Sequence, residues 1–185
     1  MPTIRQAPVK NNLLNIALFQ IGWFACVLSA AAGQPIWGAA ISIMIIGWHV
    51  WRASAPFAEF KLIMLAMLIG LIWDSFLVWQ HWLDYESGIL LANTAPYWIV
   101  LMWALFATTL NVSMRWLKGR WLYAVLFGAI GGPLAFLAGQ RLGAVTFTDT
   151  TIALSALVTG WAVLTPLLIA IAQRYDGYPQ TRANT

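Results

Sequence analysis

Charge is scarce in this chain. Only 9% of its 185 residues are Asp, Glu, Lys or Arg, while 61% are hydrophobic; soluble domains average about 25% charged. That balance excludes an ordinary soluble protein and points to an integral membrane protein. Cysteine is almost absent. Cys26 alone excludes an internal disulfide and a cysteine-built metal site, and reads as a small apolar helix residue. Histidine occurs twice, at His49 and His81, without the spacing of a metal motif, so neither a metal nor a cofactor is expected. The formal charge is +4 and the isoelectric point about 9.6. The ten basic residues are scattered along the chain and form no stripe of the kind nucleic-acid binding needs.

What the chain does have is six apolar runs, near 13–33, 36–52, 60–80, 97–114, 121–140 and 151–173. Each approaches the roughly 20 residues a helix needs to cross ~30 Å of hydrocarbon. Lipid offers no partner to backbone polar groups, and continuous rather than alternating apolarity argues against barrel strands. The expected fold is all-α: one transmembrane domain over 1–185, a six-transmembrane-helix bundle. The first run could be mistaken for a signal peptide ending at the small residues after Ser29. At 20 residues from Leu13 to Ala32 it exceeds the 7–15 of a signal core, so it is expected to be retained.

Orientation follows from the basic residues. Arg5, Lys10, Arg52, Lys61, Arg115, Lys118, Arg120, Arg174 and Arg182 fall on one side and only Arg141 on the other. The positive-inside rule then places both termini in the cytoplasm, with the 81–96 loop, which holds Asp84 and Glu86, facing outward. Tryptophans agree, with Trp37, Trp79, Trp82 and Trp98 at the outer boundary and Trp48, Trp51, Trp116 and Trp121 at the inner one. Trp23, Trp73, Trp103 and Trp161 sit near mid-depth.

Polar residues inside the runs are the candidate functional groups, because intramembrane acids mark sites by default. Asp74 lies ~6 Å outward of the midplane by the 1.5 Å rise. Thr159 and Pro133 share its depth, and Arg141, about 9 Å further out, is the expected ion-pair partner through its long side chain. Asp74 and His81, seven residues apart, fall on one helical face. A second cluster, Asn15, Gln20, His49, Thr108 and Asn111, lies toward the cytoplasmic side, where interhelical hydrogen bonding is the ordinary role. The fifth run carries Gly128, Gly131, Gly132, Pro133, Gly139 and Gly143. Its two G-x-x-x-G spacings and the proline predict a kinked helix packed closely at the centre of the bundle, or a hinge.

Four stretches, "FQIGWFACVLSAA" at 19–31, "WDSFLV" at 73–78, "PYWIVLMWALFATTLNVSMRWL" at 96–117 and "GAIGGPLAFLAGQRLGA" at 128–144, resemble a bacterial inner-membrane family catalogued as domain of unknown function 2878. The resemblance implies a small multi-pass protein of the bacterial inner membrane with no catalytic motif to transfer. It also implies a genomic association with enzymes resembling cyclopropane-fatty-acid synthases and amine oxidases, hence membrane-lipid modification. Three readings follow. The chain is a non-catalytic partner in lipid modification, a small transporter or flippase using Asp74, or a membrane-embedded lipid-modifying enzyme. Membrane lipids, a membrane-associated enzyme and a second copy of the chain are the candidate partners.

Overall fold

A computed structural model describes residues 9–178; Arg5 and Arg182 lie outside them. The chain forms six α-helices: α1 Val9–Ala31, α2 Ile36–Arg52, α3 Pro56–Trp79, α4 Tyr97–Leu110, α5 Trp121–Arg141 and α6 Thr150–Arg174. Four of them, α1, α3, α5 and α6, are long and apolar enough to cross a membrane. The 17 residues of α2 and the 14 of α4 span about 26 and 21 Å. Two-residue strands, β1 Leu83–Asp84 and β2 Thr146–Phe147, pair antiparallel and tie the α3–α4 loop to the α5–α6 loop. The molecule therefore has a loop end, with this ladder, and a basic end, with Arg52, Lys61, Arg115, Lys118, Arg120 and Arg174.

The shortest helix is the central one. α4 packs against α1, α2, α3 and α6, and Trp98, Ile99, Trp103, Ala104, Leu105 and Ala107 are among its buried residues. α1 also packs on α2, and α5 packs chiefly on α6. The fifth helix is thus peripheral, not central as its glycines suggest, because its small face serves one neighbour only.

Turn chemistry sets the helix ends. After α1, α3 and α5 the residue two past the last helical one has positive φ: Gly33 (71°), His81 (56°) and Gly143 (83°). In each case paired backbone bonds close the end, such as Gly143 N–H to Gln140 O and Ala144 N–H to Gly139 O, both 3.0 Å, the Schellman pattern. Gly143 is accordingly a cap and not a packing residue. His81 stands where glycine is usual, off the α3 face that carries Asp74, and is exposed. At the other helix ends, Pro56 opens α3 at its first position, where proline lacks no needed donor, and the Asp149 side chain accepts from Ile152 N–H at 2.9 Å.

Inside the bundle, tryptophans sit against glycines. A Cβ on Gly70 would strike the Trp103 ring, one on Gly132 the Trp161 ring, and one on Gly160 the Trp73 ring. Trp103 and Trp161 stack, with centroids 4.7 Å apart and 9° between planes. Pro133 is buried within an unbroken α5.

The neighbouring glycines of α5 separate packing from propensity. A Cβ on Gly131 would meet only Phe127, at 3.8 Å. Gly132→Ala should lower stability by about 1–3 kcal/mol through overpacking, whereas Gly131→Ala should be neutral or stabilising by up to about 1 kcal/mol. Thermal unfolding of the two purified variants in one detergent checks this.

Candidate functional site

Asp74 is fully buried on α3. Its partner is Trp103 of α4, whose Nε1–H donates to Oδ2 at 2.5 Å; Oδ1 has no partner among the described residues. Gly70 and Asp74 are one turn apart and work together: the glycine admits the indole and the acid receives its N–H. The expected Asp74–Arg141 ion pair does not form. Arg141 ends α5 in an exposed position, and α5 packs on α6, not α3. Thr159 is also absent from this site, exposed and donating to Ser155 O at 2.8 Å. His81 has left the helix face, as described above.

A second polar centre occupies the basic end, built around a residue the sequence reading passed over. Glu59, in the first turn of α3, is fully buried. Its Oε1 lies 2.8 Å from His49 Nε2, and Oε2 accepts from Asn111 Nδ2 at 2.7 Å and from Gly177 N–H at 3.1 Å. Asn111 also receives Lys118 Nζ at 2.5 Å. Asp176 is held by Arg115 through two bonds of 2.7 Å and by Lys118 at 3.0 Å. Tyr178 donates its hydroxyl to His49 O at 2.5 Å. The turn Tyr175–Tyr178 is therefore plugged into the basic end, and Gly177 has no room for a Cβ beside Glu59.

Of the expected inner cluster, His49 and Asn111 join this centre. Asn15 and Thr108 form a separate link: Asn15 Nδ2 donates to Thr108 O at 3.1 Å and its Oδ1 accepts from Ser113 Oγ at 2.6 Å. Gln20 belongs to neither. Pro56 at the first helical position was the available signal that Glu59 is helical rather than a loop charge.

A cleft of about 650 Å³ lies between α1 and α5, floored by α4 and α6. α1 contributes Ile16, Phe19, Gln20, Trp23, Phe24 and Val27, one continuous helical face. Facing them, Gly131, Ala135, Ala138 and Gly139 leave the space unfilled, while the Trp103–Trp161 stack lies on the floor. All four glycines of α5 border the cleft, but Gly128 and Gly132 also lie against α6 with no room for a Cβ, whereas Gly131 and Gly139 have room. Buried Tyr85, Trp98 and Val145 close the loop end; Ile16 and Trp116, each 46% exposed, line the other.

Charges at the plug respond to their surroundings. Burial pushes the Asp176 carboxyl up, but the bonds and charges of Arg115 and Lys118 outweigh it and hold it below the usual carboxylate range. Burial and then Arg115 push the Lys118 ammonium down. Burial, helped by the charge of Glu59, pushes the Tyr178 hydroxyl up to about 12.

The Asp74 pair gives one prediction. Trp103→Phe strands a buried acid without a donor and should cost about 1–3 kcal/mol. Asp74→Asn retains an acceptor for the indole and should cost under about 1 kcal/mol. Unfolding midpoints in detergent compare them, and equal losses would mean that the charge itself is required.

The plug gives another. A lowered Asp176 contributes stability that is present above about pH 3.9, its unfolded value, and lost as pH falls through its folded one. A raised Tyr178 contributes stability present below about pH 10 and lost as pH rises toward about 12. Lys118 acts oppositely in the alkaline range, since its lowered value makes stability rise with pH below about 10.4. Asp176→Asn should therefore flatten the acid limb of a stability–pH curve and Tyr178→Phe the alkaline limb.

Comparison with known proteins matches the chain to a family model. The family model described as "Protein of unknown function (DUF2878)" covers residues 12–167, most of the chain. No curated protein and no solved structure matches it.

Proposed function

The chain belongs to the DUF2878 family, and from that premise we propose a membrane protein that holds the hydrocarbon chain of a lipid between α1 and α5 and serves as a non-catalytic partner of a lipid-modifying enzyme. In this reading it resides in the bacterial inner membrane, with six crossings and both termini cytoplasmic. α2 and α4 cross with help from their flanking segments, and α4 is shielded from lipid by its neighbours.

The cleft is the observation that carries the proposal. From Ile16 to Val27 on α1, and from Phe127 to Gly139 on α5, it runs about 16–18 Å by the helical rise. One leaflet contributes about 15 Å, half of the ~30 Å hydrocarbon core. Its length thus matches an acyl chain within one leaflet, and its lining is almost wholly apolar, from Phe19 and Trp23 on α1 to Phe127 and Ala135 on α5.

Binding is better supported than proton-coupled transport. Between Glu59 and Asp74, α3 buries Leu62, Ile63, Ala66 and Gly70, so α3 itself supplies no polar step from one carboxyl to the other. Both acids are engaged away from the cleft wall, Asp74 behind Trp103 and Glu59 within the plug.

Gly131→Phe fills the slot at a position with open space and tests the reading. Mass spectrometry of purified protein should show at least about fivefold less co-purified lipid than in wild type, and the variant should fail to restore the membrane-lipid profile of a deletion strain. Full restoration, or an unchanged profile on deletion, would defeat the proposal.

A further inference from the structure

The two ends of the cleft differ in closure and in charge, and the difference identifies the lipid class. Resting on the lipid-chain reading above, we propose that the occupant is an anionic glycerophospholipid of the leaflet at the basic end. One acyl chain lies in the slot with its methyl terminus toward Tyr85, and its phosphate sits at the lip formed by Trp116 and Arg120.

Closure sets the direction of entry. At the loop end Tyr85, Trp98 and Val145 are 3%, 1% and 6% exposed, and the β1–β2 ladder lies over them. A headgroup has no room there. At the basic end the lining residue Trp116 is 46% exposed and touches Phe127 edge-on at 6.4 Å. Arg120, the residue that opens α5, stands two turns before Phe127 on the same face. It is exposed and makes no side-chain hydrogen bond or ion pair among the described residues.

Charge then selects the headgroup. The basic end carries six Lys or Arg against Glu59 and Asp176, and both of those acids are already engaged by partners inside the fold. The loop end carries Arg141 against exposed Asp84, Glu86 and Asp149. A phosphate without a balancing cation is attracted to the first end and repelled from the second. Tryptophan at the lip suits the same level, where indoles settle among headgroups. A zwitterionic lipid would gain the slot but little from the charge.

Native mass spectrometry of the purified protein, titrated with phosphatidylglycerol or phosphatidylcholine carrying identical acyl chains, tests this. Wild type should bind phosphatidylglycerol at least about fivefold more tightly. Arg120→Gln should reduce that preference at least about threefold, weakening phosphatidylcholine less than phosphatidylglycerol because choline already balances its phosphate. Gly131→Phe, with Ala135→Phe as a second block, should abolish both, each variant first checked for wild-type helicity and monodispersity. Equal binding of the two lipids by wild type, or a preference untouched by Arg120→Gln, overturns the headgroup assignment and leaves the chain-binding reading standing. Binding that survives both blocks, or a slot filled by a second copy and detected as a lipid-free dimer lost in the blocked variants, overturns the chain-binding reading itself.

Discussion

An indole ring laid against a bare glycine backbone is the contact on which this bundle depends. Helices in lipid gain nothing from hiding apolar surface from water, so close packing and hydrogen bonds must hold them together. Three tryptophans inside the bundle each enter a notch made by a glycine on a neighbouring helix: Trp103 at Gly70, Trp73 at Gly160 and Trp161 at Gly132. These pairs join α4 to α3, α3 to α6 and α6 to α5, a chain of contacts through the bundle. The stack of Trp103 on Trp161 closes the set and provides the floor of the cleft.

The same arrangement accounts for the buried acid. Of the three indoles, Trp103 alone has its buried N–H satisfied among the described residues, and Asp74, the acceptor, stands one turn from the glycine that admits the ring. The carboxyl is therefore first of all an acceptor for packing machinery. At the basic end the arrangement is reversed: there the acid, Glu59, is central, and a histidine, an asparagine and a backbone N–H from the far end of the sequence gather around it. Neither carboxyl lines the cleft, but Trp103, the partner of Asp74, lies on its floor.

Much of the helical layout was legible in the sequence, because each apolar run is continuous and bounded by polar or turn residues. The ends diverged where local chemistry overrode hydropathy. α3 begins at Pro56 rather than near 60, which turns Glu59 inward, and α4 stops at Leu110 because Asn111 is drawn into the Glu59 centre and leads into a short turn. Asn111 and His49 were recognisable as buried polar residues. Their common partner was not, since a glutamate beside a basic boundary reads as a surface charge. Trp103 as the partner of Asp74 depends on the register between two helices, which no single sequence states; Gly70 one turn before Asp74, with a tryptophan at matching depth, was the trace it left. Arg141 was the more obvious partner by charge, but its helix packs elsewhere. His81 was assigned to a helix face because nothing in its identity announces a left-handed cap.

The Glu59 centre also has a history in time. The backbone N–H that completes its shell belongs to a residue 118 positions later in the chain. At about 5–20 residues per second of synthesis, the carboxyl waits roughly 6–24 s for it. Its shell closes only when α6 is in place and the Tyr175–Tyr178 turn docks against the first turn of α3, so a centre begun early in the chain is completed by residues made long after its walls.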